Sequence, residues 1–391
     1  DRRFLEPVLL DVTALPVVAQ APAVRAALGE QEPLFAALRR RDLVDYPAVW
    51  AAKRRVLDAA WSAMPRGHAG FAAFRAAQGP ALDAFATFCA LTEARGADAR
   101  GQAGSEHPHN WSSCAHPRDW SDCAHPRDAG IPAFQAVHAD RIGFHAFLQW
   151  LCDEQLAMAA SAGPGLYRDL AVGAAPDGAE VWSQPGAFLR GFSIGAPPDP
   201  FAPQGQVWGL PAPHPHHAEA TGHAGFAALL AANMRHAKAL RIDHVMGVER
   251  LFVVPGGAAG AEGCYLRFDR EGMLAAIARE SRRAACTVIG EALGTVPEGL
   301  PARLSEAGIL AYRVLCFERD GAAFRAPRDW PEAAAACVST HDLPLVLGWW
   351  DGTDIAEHEA IGLLGAGAAA AERRARAADR AALLRALGLR A

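Results

Sequence analysis

Three acidic residues in the C-terminal half of the chain, Asp243, Glu291 and Asp342, each follow a short apolar run. The runs cover residues 239–242, 286–289 and 336–339. In a barrel of parallel strands the carboxyl ends open at one shared mouth, so acids placed just past three strands converge there. Such a trio can hold a hard metal ion. It can also cleave a glycosidic bond, in which one acid protonates the leaving oxygen and another carboxylate attacks the anomeric carbon.

Basic residues beside these acids favour sugar chemistry over metal binding. Arg241 lies two residues before Asp243, on the same strand face, where it would keep that carboxylate charged. His244 and His341 directly flank two of the acids. Cations beside a hard-metal site would repel the ion, so we expect no metal and no cofactor. A single acid of this kind is more often solvated or in a salt bridge, and the hypothesis depends on all three together.

The remaining pattern predicts an α/β protein. From about residue 20 to 100, Ala, Leu and Arg recur at helical spacing, with an interruption near Pro33, and another helix is expected over 133–162. From residue 163, short apolar runs, including one at 312–315, alternate with helical segments, which is typical of β/α units and a parallel sheet. We predict one catalytic domain over 1–391. It would contain a mainly helical insertion at 20–162 and a β/α half at 163–391 that carries the acids.

An irregular loop is predicted over 101–128, where SSCAHPRDW is followed by the near-duplicate SDCAHPRDA. Zinc-binding residue types occur there, at Cys114, His116, Cys123 and His125. Their spacing lacks the usual paired cysteines two residues apart, so we favour a surface loop that arose by local duplication.

Composition excludes several classes of protein. The chain has 38 basic and 43 acidic residues, a net charge of -5, and no long basic block, which argues against nucleic acid as a partner. No apolar run reaches the 18 or so residues of a membrane span, and charges interrupt the first twenty residues where a signal peptide is apolar. Eight scattered cysteines are too few for a disulfide framework. We expect a cytoplasmic protein without a membrane partner.

Three segments resemble the catalytic segments of the 4-α-glucanotransferases of glycoside hydrolase family 77, also called amylomaltases or disproportionating enzymes. These are LRIDHVMG at 240–247, VIGEALGTVPEGL at 288–300 and VSTHDLP at 338–344, in the same order and at similar spacing. Further similar segments are RRFLEPVLLDV at 2–12, GLYRDLAVGAAPDGAEVW at 165–182 and GAPPDPFAPQGQVWGLP at 195–211. The resemblance therefore covers most of the chain, and the Val-Met pair is similar to that of the long bacterial members.

The resemblance implies a TIM (β/α)8 barrel that transfers α-1,4-glucan segments between maltooligosaccharides through a covalent glucosyl-aspartate. It implies that Asp243 is the nucleophile, Glu291 the general acid and then base, and Asp342 the transition-state stabiliser. It also implies sugar contacts, which we assign to Arg241, His244, His341, Trp208, Gln206, Asp199 and Asp169. Of these, Asp199, Gln206 and Trp208 would lie in a turn-rich loop that holds an acceptor and excludes water, and Asp169 would lie near the donor sugar or in a salt bridge.

The sequence departs from the family pattern at one residue and at both ends. Position 292 is Ala where the family usually has Asp after the catalytic Glu, which removes a charge beside Glu291. Nothing matches the Ser-Pro-Tyr-Gln segment of the family's first strand or its closing Asn-x-Pro-Gly-Thr motif. We therefore expect a chain trimmed at both ends, with the barrel incomplete at its first and last strands. Alternative hypotheses are an impaired maltodextrin-binding remnant and a hydrolytic α-glucosidase, and a metal-dependent enzyme is the least favoured.

Overall fold

The computed structural model describes residues 1–102, 125–199 and 202–389. Cys114, His116 and Cys123, considered above as zinc ligands, lie outside these residues, as does most of the predicted loop at 101–128. The backbone N–H of His125, the fourth residue of that set, donates to Oδ2 of Asp128 at 2.7 Å. Within the described ranges, no helix is both long and apolar enough to cross a membrane.

The described residues up to Ser161, which are 1–102 and 125–161, form a helical layer. Its helices are α1 (Pro16–Gln20), α2 (Pro22–Leu38), α3 (Tyr46–Ala63), α4 (Ala69–Gln78), α5 (Pro80–Gln102), α6 (Gly130–Val137) and α7 (Ala139–Ser161). They pack around a core in which the large buried side chains include Phe144, Phe147 and Leu148 of α7. Apolar burial of this kind is the main source of stability for helices of ordinary propensity.

Two helix predictions in this layer were wrong in detail. Helix α2 runs through Pro33 without interruption. Proline removes one backbone hydrogen bond and crowds the preceding turn, but the burial of Val24 and Phe35 on either side holds the helix together. The helix predicted over 133–162 is instead two helices, because His138 leaves helical geometry (φ −106°, ψ 21°) between α6 and α7.

The remainder of the chain is built from strands and the helices that connect them. The strands are β1 (Leu166–Leu170), β2 (Phe188–Ala196), β3 (Gln206–Pro213), β4 (Ala237–Ile242), β5 (Arg250–Pro255), β6 (Cys264–Arg267), β7 (Thr287–Gly290), β8 (Leu310–Val314), β9 (Arg319–Asp320), β10 (Ala323–Phe324) and β11 (Ala334–Cys337). The helices are α8 (Ala179–Ser183), α9 (Pro215–Ala220), α10 (Ala224–Met234), α11 (Arg270–Ala284), α12 (Leu300–Glu306), α13 (Val346–Asp351), α14 (Thr353–Ala360) and α15 (Ala366–Ala386).

Five strands form a parallel sheet in the order β1-β4-β7-β8-β11. Helices α10, α11 and α12 precede or follow its central strands, which confirms the α/β prediction. The last strand ends at Cys337, two residues before the predicted run ends. Asp342 therefore lies five residues beyond its strand, whereas Asp243 and Glu291 directly follow theirs.

The two faces of this sheet carry different side chains because neighbouring residues of a strand point to opposite sides. Leu240 and Ile242 pack with Val288 in the core shared with the helices. Ile289 and Tyr312 belong to a second buried cluster on the other face. Arg241 alternates with Leu240 and Ile242, so it projects from this second face, which we call the Arg241 face.

A second sheet is antiparallel, with the order β3-β2-β5-β6. It corrects one prediction, because Gln206 and Trp208 lie on strand β3 and not in a loop. The turn-forming residues Pro197, Pro198 and Pro203 are confined to the connection between β2 and β3. Residues after that connection pair with β2, and pairing fixes Trp208 on a strand.

Candidate active site

Arg241 makes the central ionic contacts of the site. Its Nη1 lies 2.8 and 2.9 Å from the two carboxylate oxygens of Asp169, and these residues are register partners on β1 and β4. Its Nη2 lies 3.0 Å from Oδ1 of Asp243 and 3.9 Å from Oε2 of Glu291. Burial alone would lower the pKa of the guanidinium, but the hydrogen bonds to Asp169 and the nearby acids raise it above its ordinary value. We call Arg241, Asp169, Asp243 and Glu291 the Arg241 centre.

The strand ends bring the two acids beside Arg241. The Asp243 N–H donates to the Leu170 carbonyl and the Glu291 N–H donates to the Ile242 carbonyl, each at 3.0 Å. The parallel ladder thus continues one residue past β4 and β7, and both side chains begin at the same edge of the sheet. Because Arg241 Nη2 lies 3.0 Å from Oδ1 of Asp243 and 3.9 Å from Oε2 of Glu291, these two oxygens cannot be further apart than the sum of the two distances. That limit accommodates the separation of about 5–5.5 Å found in retaining glycosidases.

Glu291 is buried and its two oxygens accept backbone hydrogen bonds. The N–H of His244 donates to Oε2 at 2.8 Å and the N–H of Leu293 donates to Oε1 at 2.7 Å. Burial raises the pKa of Glu291, and the charge of Asp243 adds to this, while the two N–H donors and Arg241 oppose it. A carboxyl group with a raised pKa retains its proton at higher pH and can donate it to a leaving group.

His244 links the acids to the second sheet. Its backbone is in the left-handed region (φ +49°), which is uncommon for a residue other than glycine and directs its N–H at Glu291. Burial lowers the pKa of the imidazole, although Asp243 opposes this shift. The ring packs edge-to-face on Trp208, with 5.3 Å between centroids, and Trp208 Nε1 donates to Oε1 of Gln206 at 2.9 Å. These contacts place the indole ring of Trp208 and the neutral imidazole of His244 beside the acids.

Asp342 and His341 lie in a different setting. Their side chains are 70 % and 64 % exposed, and His341 Nε2 lies 3.3 Å from Oδ2 of Asp342. The Asp342 N–H donates to Thr340 Oγ1 at 3.1 Å, so the polar contacts that the described structure gives Asp342 are within its own segment. The next residue, Leu343, packs against the buried cluster of the Arg241 face. The structure therefore brings Asp243 and Glu291 together with Arg241, and within the described residues it gives Asp342 no hydrogen bond or ion pair to any of these three.

Asp199 has a role in the turn between β2 and β3. Its Oδ1 accepts from the Ala202 N–H at 2.7 Å, and its own N–H donates to the Ala202 carbonyl at 3.2 Å. This is a side-chain-closed turn of the kind that aspartate favours. Asp169, in contrast, forms the salt bridge that was one of its two predicted roles.

Tyr312 belongs to the site and sequence reasoning missed it. Its ring centroid lies 5.2 Å from Cζ of Arg241, and the residue is 9 % exposed. Burial raises the pKa of Tyr312 to about 12, with Cys337 contributing. Its only signal in the sequence is its position in the apolar run at 312–315, a run to which the sequence analysis assigned no site residue.

Comparison with known proteins identifies relatives of the whole chain. A family model described as 4-alpha-glucanotransferase matches residues 1–389. A 4-alpha-glucanotransferase of Mycobacterium tuberculosis is 37 % identical over 379 residues, which are 93 % of this chain and 50 % of that protein. The enzyme of the same name from Haemophilus influenzae is 33 % identical, over 93 % of this chain and 53 % of that protein. The chain thus spans about half the length of these curated relatives.

Solved structures agree with this result. The crystal structure of amylomaltase from Corynebacterium glutamicum superposes with a TM-score of 0.82 at 32 % identity, and covers 98 % of this chain and 52 % of that one. An amylomaltase from Streptococcus agalactiae in complex with acarbose has the same fold, with a TM-score of 0.72 at 19 % identity, over 89 % and 69 % of the two chains. The predicted fold class, an α/β TIM barrel with helical insertions, is confirmed. The sheet of the described residues supplies five parallel strands of it. By sequence and by structure, this chain is a member of the 4-alpha-glucanotransferase family.

Proposed function

We propose that the protein transfers α-1,4-glucan segments between maltooligosaccharides by a retaining double displacement. The observation that carries the proposal is the position of Arg241 Nη2, which lies 3.0 Å from Asp243 and 3.9 Å from the buried Glu291. One cation thereby brings together a carboxylate that can attack and a carboxyl group that can donate a proton. These are the two groups that a retaining mechanism needs.

In the first displacement, a carboxylate oxygen of Asp243 attacks the anomeric carbon of the donor sugar. The bond from that carbon to the glycosidic oxygen breaks, and Glu291 gives its proton to the departing oxygen. The raised pKa of Glu291 suits this step because it keeps the acid protonated at a pH where ordinary carboxyl groups are ionised. The product is a glucosyl ester on Asp243, and the reducing-end fragment leaves.

In the second displacement, Glu291 acts as a base. It removes the proton from the 4-hydroxyl group of an acceptor sugar while that oxygen attacks the anomeric carbon and releases Asp243. Each displacement inverts the configuration at the anomeric carbon, so the new bond is again α-1,4. Glu291 regains the proton that it gave up in the first step, and the cycle closes.

Transfer instead of hydrolysis requires that an acceptor sugar displaces water from the ester. We assign acceptor binding to Trp208, Gln206 and His244, because an aromatic face beside a neutral imidazole suits the mixed apolar and hydroxyl surface of a sugar. We assign hydroxyl contacts of the donor sugar to Asp169, Asp342 and His341. For Asp199 we propose an indirect contribution through the turn that it closes. The six cysteines that the structure describes are free thiols. The cytoplasmic location expected from the sequence remains a prediction.

A second candidate is a maltodextrin-binding protein that no longer turns over its ligand. It is favoured by the exposure of Asp342 outside the Arg241 centre and by Ala292, which packs against the helix-side core beside Glu291. A hydrolytic α-glucosidase would use the same two carboxyl groups, but water and not an acceptor sugar would attack the glucosyl ester.

Incubation with maltotriose separates these candidates. We expect chromatography of the wild-type reaction to show glucose together with a ladder of longer maltodextrins. The matched variant Asp243→Asn should give no ladder. Unchanged maltotriose with measurable maltodextrin affinity would support the binding protein. Release of glucose without longer chains would support the hydrolase.

A further inference from the structure

Tyr312, an aromatic residue of the Arg241 face, has no part in the proposed mechanism. Tyr312 lies on β8, next to β7, and Ile289 and Leu310 are register partners on these two strands. Tyr312 lies two residues beyond Leu310 and therefore on the same face. Its ring reaches Arg241, which begins one strand further along the sheet on β4.

The other partners of Arg241 make this ring contact significant. In the described structure the guanidinium forms ion pairs with Asp169, Asp243 and Glu291, and its buried Nε has no hydrogen-bond partner. In the proposed cycle Asp243 becomes a neutral ester and Glu291 changes its protonation state. Asp243 therefore loses its charge in the first displacement while Glu291 gains one, and both changes reverse in the second. Asp169 and the ring of Tyr312 are the partners whose attraction to the guanidinium stays constant.

The geometry points to Tyr312 as a positioning residue, whose ring fixes the Arg241 guanidinium between the two acids of the proposed mechanism. The inference rests on the proposed function. The ring is suited to this task because a buried guanidinium over an aromatic face is attracted by the ring quadrupole without a hydrogen bond and without a charge of opposite sign. The hydroxyl group is dispensable for this contact, and the aromatic face is not.

The test compares Tyr312→Phe, which keeps the ring, with Tyr312→Leu, which removes it. A matched control pair exists at Tyr265, whose ring centroid lies 3.9 Å from Cζ of Arg250 in the antiparallel sheet, outside the site. For Tyr312→Leu we expect kcat for maltotriose transfer to fall by about 10- to 100-fold with KM nearly unchanged, since displaced catalytic groups cost rate more than binding. Tyr312→Phe and Tyr265→Leu should stay within about threefold of the wild type.

A second readout does not depend on turnover. In protein labelled with ¹³C at the glutamate carboxyls, the signal of Glu291, assigned by its loss in Glu291→Gln, reports the titration of this residue. When Arg241 is displaced, its positive charge no longer favours the Glu291 carboxylate, so the titration should move to higher pH in Tyr312→Leu. It should not move in Tyr312→Phe or in Tyr265→Leu.

The outcomes separate a positioning role from a structural one. A fall in melting temperature without a moved titration, or an equal loss of kcat in Tyr312→Phe and Tyr312→Leu, would overturn the inference. If the leucine variant does not fold, Tyr312→Met tests the same point, because Met fills comparable space without an aromatic face. A wild-type chain without transfer activity would refute the proposed function, while the titration would still decide the role of Tyr312.

Discussion

The Arg241 centre and the segment 338–345 are both predicted from the sequence to be catalytic, but they differ in how their acidic side chains are held and buried. In the Arg241 centre, residues from three strands converge on one buried guanidinium. In the segment 338–345, Ser339 Oγ donates to the Pro344 carbonyl at 2.9 Å and Leu343 packs inward, while Asp342 is exposed. Both regions follow parallel strands of the same sheet.

The difference shows what fixes a side chain in a site. Asp243 and Glu291 directly continue the ladder of their strands, so their positions are set by backbone hydrogen bonds to the neighbouring strand. Asp342 lies five residues past β11, in a segment whose fold is set by its own turns and by the burial of Leu343. In this chain the two acids directly past a strand end are held by the hydrogen-bond ladder of the sheet, and the acid further into a loop is not.

The largest expected effect comes from removing Asp243, the proposed nucleophile of the Arg241 centre. In Asp243→Asn the amide has nearly the shape of the carboxylate but cannot form the glucosyl ester. We expect the transfer rate to fall by about 10⁴-fold or more, as for other nucleophile deletions. Chromatography of maltotriose products measures the rate, and thermal unfolding checks that the fold is intact. Transfer that survives this change would refute the role of Asp243.

A smaller effect is expected from the proton donor, and it depends on substrate. Glu291→Gln should slow transfer from maltotriose by about 10²- to 10⁴-fold, the usual contribution of general acid catalysis. A donor with a good leaving group needs little protonation and should be slowed far less. Initial rates with both donors measure the difference, and equal slowing of the two would exclude Glu291 as the acid.

The pH dependence of the wild type sharpens the same point. Because the pKa of Glu291 is raised, its proton is present below that pKa and lost above it. Activity on maltotriose should therefore decline on the basic side as pH rises through this raised pKa, and the decline should be absent with a good leaving group. The measurement is kcat/KM against pH for the two donors, with protein stability checked across the same range.

Asp342→Asn tests the comparison from its other side. Since Asp342 is exposed, the free energy of unfolding should change by no more than about 0.5 kcal/mol. If the carboxylate stabilises the transition state, kcat should nevertheless fall by about 10²-fold, the effect of losing one such interaction. Urea unfolding and maltotriose kinetics measure the two quantities. Unchanged kcat would show that Asp342 has no part in the chemistry, and would favour the region around Arg241 as the whole catalytic apparatus.

The smallest effect is expected at Ala292, which packs on the core beside Glu291. Ala292→Asp adds a negative charge there, which should raise the pKa of Glu291 further and lower stability by about 1 kcal/mol. The basic side of the pH profile would move to higher pH, with a change in maximal rate of only about a few-fold. An unmoved profile would show that residue 292 does not influence the acid. Ala292→Asn is the matched uncharged control.

Several features of the molecule could be predicted from the sequence because they depend on neighbours in the chain. The alternation of strand residues predicted that Arg241 and Asp243 share a face, and they form an ion pair at 3.0 Å. The apolar runs predicted four strands of the parallel sheet within a few residues. The site residues themselves remain predictions that the variants above test.

Other features could not be predicted, because they depend on packing between distant segments. Helix α2 continues through Pro33 because core packing outweighs the loss of one hydrogen bond. Trp208 lies on a strand because β2 is available as a partner. The turn-rich composition of the surrounding segment at 195–211 had indicated a loop. Tyr312 carries no sequence motif, and the role proposed for it rests on the Arg241 guanidinium above its ring, a contact between two strands that the sequence does not show.

The sequence by itself determined which acidic and basic residue types stand on or just past the strands, because residue type and a two-residue period are local properties. Only the tertiary structure decided which charges meet. Parallel register placed Asp169 opposite Arg241, and the shared edge of β4 and β7 brought Asp243 and Glu291 to one nitrogen. Burial of the Glu291 carboxyl group raises its pKa. Burial is a property of the whole fold, and no single segment of the chain contains it.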